Sequence, residues 1–425
     1  MANQEHLALI KQGVTVWNDW YKRNKRVIPD LAKANLSGLD LSGINLQRAD
    51  LDRANLSQTN LSKARLVNAN LSGTNLLAAD LQNANLKGAN LDYAIFSEAK
   101  INDKTTIASK NRKIWEIVNN KAKDKNFQGI DLSNSNLFRA DFSQADLSHA
   151  KLENANLNSA NFNNAYLYRA NLKKANLQNA DLRNAYFSQA NLTHASLNGA
   201  SCCGTYFKDA ELSFANLKQA KLSHKTMIDL KWHSVWEIVN CGAVRKNLSG
   251  VDLSNANLQG VNFAEANLTN ANLSHTILRY SNLDRANLTN SDLAGANISG
   301  VDLDRANLKG ANLKSVIGRD SGNIEGRDVQ LPPAMKPVHT HSNVMVKERP
   351  TTLQAVTTPI VADLRDNQSK KPKNNKNAFG FLFFAVITLI VSAWYTFSEQ
   401  NSIEQQPTQK LQSWKDKIEQ LIPNS

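Results

Sequence analysis

The chain has 425 residues and a formal net charge of +13, from 50 Lys and Arg against 37 Asp and Glu. Its three cysteines, Cys202, Cys203 and Cys241, offer neither an even disulfide framework nor a spaced metal set, which points to a reducing compartment. Residues 1–11 lack a basic segment followed by an apolar run, so no secretory leader is expected.

Residues 1–30 are predicted to form a helical cap, because Leu7, Ile10, Val14, Trp17 and Tyr21 keep helical spacing ahead of Pro29. A different rhythm then takes over. From Leu36 to Leu313, Leu or occasionally Phe or Ile recurs every fifth residue, usually with Ala two positions earlier and Asn or Asp one earlier, as in Ala54-Asn55-Leu56. An α-helix turns about 100° per residue, so a five-residue step carries Leu roughly 140° around the axis and builds no apolar face. A flat strand fails as well, since an odd spacing throws successive leucines onto opposite faces. Short extended segments with positions i and i−2 inward, each ended by a corner, satisfy the pattern, and such a chain coils. Outlying residues set the size of the coil by recurring at spacing twenty: Tyr166, Tyr186 and Tyr206; Phe187 and Phe207; Asp284-Arg285 and Asp304-Arg305. Four units per coil are expected, with Asn or Asp bonding nearby backbone at the corners.

The rhythm fills residues 31–101, 131–222 and 251–314. Runs such as Ala286-Asn287-Leu288 and Ala180-Asp181-Leu182 resemble the pentapeptide-repeat family, over about two thirds of the chain. The resemblance implies an all-β fold, a right-handed quadrilateral β-helix with four pentapeptides per coil. The Trp17-Asn18-Asp19-Trp20 segment and the insertions described next resemble arrangements in cyanobacterial members.

Two insertions, residues 102–130 and 223–250, share Trp-Glu-Ile-Val-Asn at Trp115 and Trp236, 121 residues apart, which points to internal duplication. Trp115, Val118 and Ala122, matched by Trp236, Val239 and Ala243, are predicted to line one face of a short helix. Trp17, Trp115 and Trp236 are therefore expected to anchor covers or fasteners on the coils; partner binding by these helices is the alternative.

Residues 315–377 carry six prolines and no period, and read as a flexible linker. His339 and His341 lie there without further ligands, so no metal site is assigned. Residues 378–397 form an uncharged run of twenty positions, the length of a transmembrane helix. Trp394 and Tyr395 lie at one end; Lys370, Lys371, Lys373 and Lys376 precede the other, so the repeats are expected on the cytoplasmic side of a membrane crossed once. In the tail, 398–425, Leu411, Trp414, Ile418 and Leu421 keep helical spacing and suit a membrane surface or a partner helix.

Chemistry is sparse. There is no glycine-rich phosphate loop, no His or Cys cluster at ligand spacing and no nucleophile elbow, and the insertions supply only Glu116 and Glu237. No enzyme, cofactor or small-molecule substrate is expected. Some members of the resembled family mimic DNA and protect a topoisomerase, which requires an acidic face. Here residues 131–222 carry nine Lys or Arg against seven Asp or Glu, and residues 251–314 carry five against six, so mimicry and direct nucleic-acid binding are both disfavoured. A membrane-tethered scaffold presenting a rigid surface to proteins is the expected function. Tyr166, Tyr186 and Tyr206 replace the corner Asn or Asp at position i−1 and are expected to stack in one column. That column is either a structural ladder or a protein-contact strip.

Overall fold

A computed structural model describes residues 2–120 and 125–318. All of these belong to one compact unit, Met1–Val338. The predicted span 378–397, the linker beyond residue 318, the tail and Ala122 lie outside the described residues. Among the described residues no helix is long and apolar enough to cross a membrane.

The coil is built by a hydrogen-bonding rule that assigns every N–H of a five-residue unit. The central residue donates to the carbonyl nineteen positions on, as Leu36 N–H does to Asn55 O at 2.8 Å, and the residue two later does the same, Lys33 to Asp52 at 2.7 Å. The residue at i−1 donates back to the preceding coil, Asn55 to Ala34 at 2.8 Å, while the residue at i−2 closes the turn within its own coil, Ala34 to Leu31 at 3.0 Å. The fifth N–H, at i+1, finds the side chain at i−1: Ser57 donates to Asn55 Oδ1 at 3.2 Å. Where Asn or Asp stands at i−1, no N–H of the unit is left over, which is what burial of a backbone in a coil demands.

The outcome is a stack in which residues twenty apart form parallel bridges, such as Asp30 to Asp50 and Asn35 to Asn55. Each bridge is one residue long. Among the described residues there is no ladder of consecutive strand residues, because a corner intervenes every five positions. The β character of the fold is thus carried by isolated bridges. Nearly every corner places its i+2 residue in the left-handed region, and residues as unlike as Arg169 (φ 54) and Tyr280 (φ 58) adopt it. The inter-coil bond from that residue's own N–H offsets the local cost of this conformation.

Inside, the leucines at i and the alanines at i−2 are almost wholly buried. Buried hydroxyls at i−2 donate to the carbonyl of a central residue, either one coil earlier, as Thr59 Oγ1 does to Leu36 O at 2.8 Å and Ser281 to Leu258 at 2.7 Å, or in their own coil, as Ser291 does to Leu288 at 2.8 Å. Where aromatics enter, they stack on one another, Phe142 on Phe162 at 5.1 Å and Phe187 on Phe207 at 5.3 Å. Cys202 takes a central position and is buried, and desolvation pushes its thiol far above its ordinary value. The asparagines at i−1 form ladders along the stack, Asn55 Nδ2 to Asn35 Oδ1 and Asn75 Nδ2 to Asn55 Oδ1, both 3.1 Å.

Four helices interrupt or precede the coils: α1 (Gln4–Lys11), α2 (Val14–Arg23), α3 (Ser109–Val118) and α4 (Leu230–Cys241). The opening segment, read from its spacing as one helical cap, is two helices. Gly13, at φ 110, breaks it between them. Asn3 caps α1 through its side-chain oxygen, which accepts from the N–H groups of Glu5 and His6. Coil bridges begin at Asp30, run to Thr106, resume at Asn126, run to Met227 and resume at Asn247.

Replacing the fully buried Leu177 with Lys places an unpaired charge between two coils. Thermal denaturation should register a loss of about 3–5 kcal/mol. Lys173→Ala, at a partly exposed corner, should leave the melting curve almost unchanged; equal effects at the two positions would contradict the packed interior.

Candidate protein-interaction surface

The three tryptophans singled out in the sequence all stand at coil edges, where a backbone carbonyl has lost its partner coil. Trp115, on α3, donates its indole N–H to Ala99 O at 2.7 Å, and Trp236, on α4, donates to Ala220 O at 2.7 Å. By the register of the stack, these carbonyls would take the N–H of the next coil; the indole replaces it. At the other end Trp17, on α2, donates to Asn45 O at 2.8 Å, and Tyr21 donates to Gln47 O at 3.1 Å. The side chain of Asn18 accepts from Asn45 N–H at 2.8 Å, and His6 Nδ1 accepts from Asp30 N–H at 3.0 Å.

The last residue of the shared pentapeptide contributes as much, and sequence reasoning missed it. Asn119 accepts from Glu98 N–H at 2.7 Å, as a carbonyl of the next coil would, and donates to the central carbonyl Phe96 O at 3.0 Å, as the buried Thr59 hydroxyl does to Leu36 O. Asn240 repeats this with Gln219 N–H and Leu217 O. The next stack then closes up: Tyr93 N–H donates to Asn134 O at 2.8 Å, and Phe214 N–H to Asn255 O at 2.7 Å. Lys110 reaches Asp131 at 3.3 Å, and Lys231 reaches Asp252 at 3.2 Å. Burial pulls both carboxyls upward, but hydrogen bonds from Ser133 and Ser254, with the two ammonium groups, hold them below the ordinary aspartate value.

A hollow of about 260 Å³ at the first junction is lined by Phe96, Val118, Asn136 and Phe138 among others, with no titratable side chain. Glu116 and Glu237 are occupied by lysines, Lys113 at 2.7 Å and Lys246 at 2.8 Å. Among the described residues no group of three or more His, Cys, Asp or Glu side chains is placed to hold a metal ion. These arrangements fasten the insertions to the coils.

The tyrosines occupy one face of the second stack. Parallel bridges join Asp146 to Tyr166, Tyr166 to Tyr186, Tyr186 to Tyr206 and Tyr206 to Met227. The rings of Tyr166 and Tyr186 stack at 5.1 Å, tilted by 6°, and those of Tyr186 and Tyr206 lie 6.1 Å apart at 33°. Burial, Tyr186 and Asp146 raise the phenol of Tyr166 above its ordinary value, so it stays neutral across the physiological range. The strip runs on into exposed Met227, three residues before the first residue of α4, Leu230, which is 87% exposed. At its side the Arg169 guanidinium lies 5.1 Å over the ring of Tyr168.

The duplication supplies an internal control. Shifting the column back by 121 residues gives Asn45, Arg65, Asn85 and Thr106, which are bridged in the same order, with Ser109 opening α3 where Leu230 opens α4. One backbone arrangement therefore carries a polar column in the first copy and an apolar one in the second. The coil does not require the aromatics.

A family model described as pentapeptide repeats matches residues 30–66, 64–103, 126–154, 150–189, 185–223, 247–283 and 281–317. Among solved structures, the chain is similar to HetL, a pentapeptide repeat protein involved in heterocyst differentiation regulation from the cyanobacterium Nostoc. The match has 26% identity over 67% of this chain and 88% of that one, with a TM-score of 0.22. A pentapeptide repeat protein from the Arabidopsis thaliana thylakoid lumen matches at 32% identity over 26% of this chain and 75% of its own, with a TM-score of 0.24. Full-length QnrB1, a plasmid-mediated fluoroquinolone resistance protein, matches at 19% identity over 58% and 87% of the two chains, with a TM-score of 0.20. Superpositions at this level carry no argument about the surface of this chain. No curated protein matches significantly.

Changing Trp115 or Trp236 to Phe keeps the ring and removes the indole donor, leaving an edge carbonyl unpaired. Each change should cost about 1–3 kcal/mol in urea denaturation. A pair of neutral substitutions would show that the indoles do not hold the edges.

Proposed function

Because the chain belongs to the pentapeptide-repeat family, whose members fold as right-handed β-helices, we propose that it is a non-catalytic scaffold that presents a rigid coil surface to partner proteins and is tethered to a membrane by residues 378–397. The observation that carries the interaction half is the column from Tyr166 to Met227, apolar where its duplicate is polar. If ring stacking served only the coil, the first copy would have equal use for it. Tyrosine supplies a large amphipathic contact area and is enriched at binding hot spots, and the exposed Met227 extends the same strip.

An acidic nucleic-acid mimic finds little support in this chain. Charges along the repeats are nearly balanced, and many carboxylates are engaged locally, as Asp181 is by Arg183 at 2.6 Å and Glu265 by Arg245 at 2.8 Å. The tether rests on sequence: twenty uncharged positions of spanning length, a basic flank before them and aromatics at their far end.

Two experiments test the two halves. Transplanting the first copy's residues, as Tyr166→Asn, Tyr186→Arg, Tyr206→Asn and Met227→Thr together, should leave the melting temperature within a few degrees and abolish capture of the partner. If the rings are only a ladder, the same variant should instead lose about 1–3 kcal/mol, the worth of two stacked pairs, and keep its partner. For the tether, full-length protein should stay in the membrane pellet through alkaline carbonate extraction. Its release as a peripheral protein would end that half of the proposal. Protease added to sealed right-side-out vesicles should spare the repeats, and digestion would reverse the orientation.

A further inference from the structure

Four side chains stand in line on the second stack at intervals set by the coil: Tyr166, Tyr186, Tyr206 and Met227. We propose that this strip is a docking track for one amphipathic α-helix of a partner protein, laid parallel to the coil axis. The inference rests on the scaffold reading and names the element that the scaffold receives.

Size comes first. Three inter-coil steps make the strip about 15 Å long, and one face of a coil is about 10 Å wide. That is a few hundred Å² at most, well below the roughly 800 Å² that each partner contributes to a stable protein–protein interface. A second copy of this chain meeting face to face on the strip alone would bury too little, whereas a single secondary-structure element fits the footprint.

Register then chooses the element. Bridged backbones repeat about every 4.8 Å, and the ring centroids lie 5.1 and 6.1 Å apart. A helix presents one apolar residue per turn at a pitch of about 5.4 Å, between those two spacings. Over three steps its side chains drift about 2 Å against the coil repeat, within the reach of a rotamer change. An extended peptide repeats its same-face side chains every 6.6–6.8 Å or so, and over three steps it slips about 6 Å, more than one whole ring. Polyproline helix, at about 9 Å per turn, meets only every second ring. Only the α-helix can place a side chain between successive rings along the whole strip.

Polar features agree with a helix that is apolar on one side. The phenol of Tyr166, raised above its ordinary value by burial, keeps its proton and offers a donor beside its ring. Arg183 and Lys208 stand on the corners of the same coils, exposed and already bridged to Asp181, Asp209 and Asp229. The strip is therefore rimmed by polar groups, as the apolar centre of an interface is.

Site-specific photocrosslinking in full-length protein tests the register directly. A benzoylphenylalanine replaces Tyr166, Tyr186 or Tyr206 one at a time, with the same probe at Arg65 and Asn85 as controls on the polar column. The expected result is adducts from the three strip positions to one partner segment, with the attachment point advancing three or four residues per coil, and none from the controls. An advance of one or two residues per coil means an extended peptide and overturns the helix. Adducts to this same chain mean a second copy, and adducts to lipid mean a membrane face; either also overturns it. If the strip positions give nothing while the control positions capture a protein, the strip is not the docking track although the scaffold reading stands. If no position captures protein, both fall.

Discussion

Everything in this molecule follows from the hydrogen bond that a central residue sends to the carbonyl nineteen positions ahead. That bond, with its partners at i+2 and i−1, makes each coil the template for the next. It closes the interior to water and leaves only a side-chain acceptor to be supplied by Asn or Asp at i−1. The consensus is therefore a bonding requirement. Leucine fills the coil, alanine lets the opposite wall approach, and the amide or carboxylate completes the corner. The same rule allows Arg, Gln or Tyr at the left-handed i+2 position, because the inter-coil bond holds the backbone there whatever the side chain.

A stack of this kind has no problem in its middle and a serious one at its ends, where three bonds per unit lose their partners. This chain meets its ends with side chains that imitate backbone. An indole N–H takes the carbonyl that a coil would have taken, and a carboxamide supplies donor and acceptor together, as in Asn119 and Asn240. The two insertions repeat the device 121 residues apart down to single bonds. They join three stacks and leave the outward faces uncovered. Function is then a matter of which outward residues depart from the corner code.

That separation explains what was legible. The period of five excluded regular helix and flat strand, spacing twenty set the coil, and the resemblance of the runs around Leu182 and Leu288 led to the correct family. The tryptophans at 17, 115 and 236 stood out as anchors, but what they bond to did not, since Ala99, Ala220 and Asn45 are ordinary repeat residues whose importance comes only from standing at an edge. Asn119 and Asn240 lay within the shared pentapeptide and still passed unremarked, because asparagine is common everywhere in this chain. The break at Gly13 was hidden by apolar spacing that runs across it without a fault. The inter-coil Asn ladders were hidden too, since they join residues twenty apart whose nearest sequence neighbours look the same.

By itself, then, the sequence determined the unit, the coil and the column of tyrosines, because those depend on periodicity and a period is a property of the chain alone. Tertiary structure decided the rest. It replaced strand ladders with one-residue bridges because a corner arrives before a second pair can form. It turned three tryptophans into substitutes for missing backbone, and it carried the tyrosine column on to Met227, which the five-residue rhythm does not include. The last point has a simple cause: a one-residue slip in the coil before each insertion helix, with Tyr206 bridged to Met227 rather than to the residue twenty ahead, brings into line side chains that no count along the sequence would align.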